Sequence, residues 1–112
     1  TRAETFEQAI YSLQHYIFTD VKYVIKAGKR EEFISRLLEE QIVERCRQEP
    51  GNIKYEISVP VDSSNEVCIT ELWVNKAEQK RHGQTKQYAR LTELKKQYVE
   101  SVEICNYQVS RC

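Results

Sequence analysis

Alternating and helical patterns follow one another in a set order along the 112 residues, and that order constrains the fold more tightly than any motif. Tyr16 to Lys26 is β-branched and aromatic, with Val21, Tyr23 and Ile25 alternating, the mark of a strand. Gly28 supplies a turn. Lys29 to Gln48 then places Phe33, Ile34, Leu37, Leu38 and Ile42 on one stripe against Glu31, Arg36, Glu39, Glu40 and Glu44, which predicts a single amphipathic helix. Pro50-Gly51-Asn52 stops it. Ile53, Tyr55, Ile57 and Val59 alternate with polar residues up to Pro60, and Asp62-Ser63-Ser64-Asn65 is turn chemistry. Val67 to Asn75 is the next strand, joined to its predecessor as an antiparallel hairpin. A helix from Asn75 or Lys76 through Arg81 breaks at Gly83, and Thr85 caps a second helical stretch with Tyr88, Leu91, Leu94, Tyr98 and Val99. Ser101 to Val109 closes as a fourth strand.

The order β-α-β-β-α-β predicts an α+β, ferredoxin-like split βαβ domain with a four-stranded antiparallel sheet and helices on one face. An extra N-terminal helix precedes it: Phe6, Ala9, Ile10 and Leu13 have helical spacing, so residues 1–15 read as an extension and 16–112 as the domain. The second sheet face, with Cys68, Thr70, Leu72 and Val74, is too apolar to be left in water. An isologous homodimer packing sheet against sheet would bury it.

Lys plus Arg and Asp plus Glu each number 17, which argues against a nucleic-acid partner, since phosphate binding needs a clustered basic excess. No run of 18 apolar residues crosses a membrane. Thr1-Arg2-Ala3-Glu4 lacks the apolar core of a secretory signal, and without Met the chain reads as trimmed or as carrying a tag remnant before Arg2. Cys46, Cys68, Cys105 and Cys112 are too widely spaced for a CxxC pair, and only two histidines could complete a metal site. Cys46 and Cys68 lie in apolar patterns, so the expectation is structural thiols in a reducing cytoplasm, with no role for terminal Cys112.

Phosphate loops, GxGxxG, HExxH and GxSxG are all missing. Strand parity instead sets Glu71 and Trp73 beside Val67 and Ile69, a carboxyl and an indole on an apolar face. Nine residues after Trp73 comes His82, at the helix break, with a side chain suited to proton transfer near neutral pH. Each also has a structural reading. Trp73 serves equally as a core aromatic, Glu71 as an ion-pair partner across a dimer, and His82 as a helix C-terminal residue before Gly83. His15 reads as a surface residue, and Lys29-Arg30-Glu31-Glu32 and Lys95-Lys96 as solvated helix faces.

Gln48-Glu49-Pro50-Gly51-Asn52, then Tyr55, Glu71-Leu72-Trp73, His82 and Thr85, together resemble the antibiotic biosynthesis monooxygenase domain family, from about Asp20 to Val109. That family includes cofactor-independent quinol monooxygenases and a related enzyme of phosphorylated autoinducer-2 processing. The resemblance implies a dimeric α+β barrel with a pocket between helices and sheet, a small-molecule substrate and no cofactor. It further implies that His82 is the base or proton relay and Trp73 an aromatic wall, with Glu71, Asn52 and Tyr55 as substrate-binding groups. Alternatives are an isomerase acting on a small, phosphorylated hydroxyketone, or a non-catalytic dimeric ligand-binding module. The haem-degrading branch needs an Asn in the first strand, where this chain has Asp20, Val21 and Lys22.

Overall fold

The computed structural model describes residues 5–110, so Cys112 lies outside the described residues. Helix α1 (Phe6–Gln14) is capped by Thr5, whose hydroxyl accepts from the Gln8 N–H while the Gln8 side chain accepts from the Thr5 N–H. It runs without a linker into β1 (His15–Ile25). After α2 (Arg30–Glu39) and α3 (Ile42–Arg47) come β2 (Asn52–Ser58) and β3 (Glu66–Trp73). Helices α4 (Lys76–His82) and α5 (Lys86–Tyr98) then lead into β4 (Val99–Ser110). The sheet order is β2-β3-β1-β4 with every pair antiparallel, which is the split βαβ arrangement expected from the pattern order.

One element differs from expectation. The helix predicted over Lys29–Gln48 is two helices, separated at Glu40-Gln41, with Gln41 left-handed at φ 58°. The cause is phase. A continuous helix carrying Phe33 and Leu37 inward would next bury Glu40 or Gln41 and then Glu44, while the apolar residues available are Ile42, Val43 and Cys46. One left-handed residue rotates the second segment, so that Ile42, Val43 and Cys46 all become buried and Leu38 is left 57% exposed. Glu40 at the break accepts from Arg36 and Arg90, tying it to α5, and the Arg90 guanidinium holds the Glu40 carboxyl down to about 2.

Strand parity fixes the core. Ile17, Val21, Tyr23 and Ile25 on β1 and Val67, Ile69 and Trp73 on β3 face the helices, where they meet Phe33, Leu37, Leu91 and Leu94. Cys68, Thr70, Leu72 and Val74 are only half-buried on the outer face. Strand β4 is paired along one edge by β1, and nearly all of its 12 residues are exposed.

Candidate active site

His82 is the last residue of α4, and three local features hold it there. Asn75 caps the helix start by accepting from the Glu78 N–H. Thr85 donates to the His82 carbonyl at 2.9 Å and accepts from the Tyr88 N–H, joining the end of α4 to the start of α5. The ring is then enclosed by aromatics: Trp73 at 4.9 Å between centroids, Tyr88 at 5.1 Å and Tyr55 at 5.8 Å.

Its orientation is set by Glu49, on the turn between α3 and β2. His82 Nδ1 lies 2.9 and 3.0 Å from the two Glu49 oxygens, and Gln87 Nε2 donates to the same carboxylate at 2.8 Å. An ionised carboxylate only accepts, so Nδ1 carries the proton and, in the neutral ring, Nε2 keeps its lone pair. Glu71 Oε1 lies 4.0 Å from Nε2, beyond hydrogen-bond reach. Two atoms at that separation can both hydrogen-bond one substrate oxygen placed between them. Glu71 also accepts from Trp73 Nε1–H at 2.9 Å. Burial pushes its carboxyl above the ordinary range, against the lowering effects of the Trp73 hydrogen bond and the nearby imidazole.

His82 and Glu71 line one cleft of about 330 Å³, within the size range of small-molecule sites. Tyr88, Leu91 and Ile104 supply apolar wall, and Gln79, Thr19 and Asn106 form a hydrogen-bonded polar patch beside it. The expectation that Trp73 would form the wall is corrected by its position. The indole is fully buried one layer behind His82 and does not line the cleft. Tyr55 is likewise a buried support for the imidazole. Asn52 sits at the far side of β3, its side chain donating to the Lys54 carbonyl, and lines a separate shallow groove.

Within its own chain Glu71 accepts from Trp73 Nε1–H and lies 4.0 Å from His82 Nε2. Sequence reasoning quoted Glu49 in a motif but gave it no role. It also missed the Thr19–Gln79–Asn106 patch, whose signal is a threonine at an inward position of an otherwise apolar strand. Cys46, Glu49 and His82 offer ligand atoms within 4.8 Å of one another, a set able to reach one metal ion. Burial pushes the Cys46 thiol up, so binding there would have to displace its proton and break the Glu49–His82 hydrogen bond.

Sheet order and helix placement together define an α+β domain of the split βαβ class, with one cleft lined by sheet and helix residues. The antibiotic biosynthesis monooxygenase family profile matches residues 16–94, and the chain belongs to that family. "Putative monooxygenase YcnE" of Bacillus subtilis (strain 168) is 34% identical over 61 residues, 54% of this chain and 62% of the relative. The chain therefore spans less than two thirds of that relative's length. Protein SO0527 from Shewanella oneidensis superposes with a TM-score of 0.78 at 26% identity, covering 86% of this chain and 92% of that one. PA3566 from Pseudomonas aeruginosa gives 0.75 at 21% identity, over 89% and 97%, and shows the shared fold.

The Glu71 environment has a stability consequence. An acid whose pKa is raised on folding favours its protonated form in the native state, so its ionisation lowers stability as pH climbs through the native value. Glu71→Gln keeps an acceptor for Trp73 and removes that ionisation. Its melting temperature should equal or exceed wild type near pH 8, with the difference shrinking as pH falls to about 4. Thermal melts across this range check it; a loss largest at high pH would contradict the assignment.

Proposed function

We propose that the protein is a cofactor-independent monooxygenase that oxidises a small quinol or polyphenol with O2. The supporting observation is His82, with Nδ1 held by Glu49 and Nε2 turned toward the Glu71 side of the cleft. Nε2 takes the phenolic proton, and the electron-rich anion that results is the species able to give an electron to O2. Burial raises the Glu71 pKa, which favours the protonated form whose O–H can donate to a developing oxyanion. For a simple hydroquinone the balance is quinol plus O2 giving hydroxyquinone plus water. One oxygen atom forms the new C–O bond and the other leaves as water.

A second reading has a specific basis. Glu71 and His82 form a pair of proton carriers across a 4.0 Å gap, which would also serve an isomerase acting on a hydroxyketone. Oxygen separates the two, because isomerisation continues under anaerobic conditions. If no panel compound is turned over, and no ligand responds to His82→Ala or Trp73→Phe, the non-catalytic binding module is favoured. For the first reading, metal-free protein should consume O2 with a quinol panel, and His82→Ala should lower the rate by about 100-fold or more. Oxygen-electrode assays check this, and an unchanged rate in His82→Ala would overturn it.

The chain is also proposed to pair with a second copy through its outer sheet face. Half-buried Phe18 and Leu72, together with Tyr107 at 52% exposure, support that reading. Equilibrium sedimentation should then give the mass of two chains, and a monomer mass at micromolar concentration would contradict it.

A further inference from the structure

The cleft is more cationic than the chain that forms it. Over the whole sequence Lys plus Arg equals Asp plus Glu at 17 each, yet the lining carries Lys76, Lys80 and Lys95 against the single carboxyl of Glu71. Glu71 is buried at the inner wall and accepts from Trp73 Nε1–H, so even as a carboxylate it is one charge against three.

Several cations elsewhere in the fold are paired with carboxylates. Arg36 and Arg90 share Glu40, Lys22 meets Glu66, and Arg81 meets Glu78. Lys95 has no carboxylate within ion-pair distance among the described residues; its ammonium instead lies 5.8 Å from the Tyr23 ring centroid and 5.6 Å from that of Tyr88. Two aromatic rings recover part of the hydration lost there, but a half-buried charge without a counter-ion still carries a cost.

Lys95 is also close to the proposed chemistry. Tyr88 touches both groups, with its centroid 5.1 Å from the His82 ring and 5.6 Å from Lys95 Nζ. Ammonium and imidazole are thus no farther apart than those two separations laid end to end. A single small molecule in the cleft can reach both.

We infer that the cleft takes an anionic phenol, with a carboxylate or phosphate seated on Lys95 and its hydroxyl presented to His82. Exposed Lys76 and Lys80 at the rim add to the field that draws such a molecule in. This rests on the proposed use of the same cleft for phenol oxidation, but its recognition element is separate from the base.

The test measures dissociation constants of three probes by calorimetry: hydroquinone, 2,5-dihydroxybenzoate and 4-hydroxyphenyl phosphate. Wild type should bind one of the two anions at least about tenfold more tightly than hydroquinone, and the preferred anion distinguishes carboxylate from phosphate. Lys95→Met should abolish that preference, bringing the anion's dissociation constant to within about twofold of that of hydroquinone measured on the same variant, and Lys95→Arg should retain most of it. Burial lowers the Lys95 pKa, so the charge opposes folding while it is present; Lys95→Met should therefore melt at or above the wild-type temperature.

Equal affinities for all three probes, or a preference that survives in Lys95→Met, would overturn the inference. If Lys95→Met does not fold, Lys95→Gln provides the same comparison. Anion preference without O2 consumption would leave this inference standing and remove the monooxygenase reading. Turnover of hydroquinone with no anion preference would do the reverse.

Discussion

The hydrogen bond between Glu49 and His82 joins two parts of the chain 33 residues apart, and the geometry of the cleft depends on it. A buried carboxylate beside an imidazole nitrogen is a charge-assisted contact, stronger than the neutral hydrogen bonds around it. It forms only because the turn after α3 runs close beneath α4. Gly51 permits that approach: its φ is 81°, and a Cβ there would meet the Glu78 side chain at 2.4 Å and Val74 at 2.9 Å. The Val74 N–H donates to the Gly51 carbonyl at 2.8 Å, fixing the same crossing from the strand side. The Pro50-Gly51 turn thus ends a helix and also delivers the carboxylate that sets the histidine tautomer.

Around that contact the site is layered. Trp73 and Tyr55 lie behind the imidazole, Glu49 and Gln87 hold one of its nitrogens, and Glu71 and the cleft lie on the other side. Indole and carboxyl serve each other as well, since the Trp73 N–H is bonded to Glu71 and both follow from a single strand parity. Support residues of this kind restrict ring rotation, which proton transfer requires. The result is a layered cleft wall drawn from β3, α4 and the α3–β2 turn.

Much of this was legible in the sequence because it depends on periodicity. Alternation at Ile53–Val59 and Val67–Asn75 identified the hairpin, and parity along β3 placed Glu71 and Trp73 on the inward face. Thr85 was recognisable as a cap from residue type, and the start of α4 at Asn75 or Lys76 from the pattern. What periodicity could not show was phase and depth. The single left-handed residue Gln41 divides a stripe that reads as continuous, since Glu40-Gln41 resembles any polar pair on a helix surface. Trp73 was expected at the cleft surface from the family resemblance, and strand parity, which shows facing but not depth, could not reveal the layer outside it. Glu49 was hidden for a related reason: its partner is determined by a turn crossing under a helix, a tertiary fact without local signature.

The most direct test of the clamped imidazole is nitrogen NMR of His82 in protein labelled at histidine. In the neutral ring the account requires Nδ1 protonated and hydrogen-bonded to Glu49 and Nε2 unprotonated. In Glu49→Gln that single-tautomer signature should give way to a mixture. A ring protonated at Nε2 alone in the wild type, or a tautomer indifferent to Glu49→Gln, would contradict it.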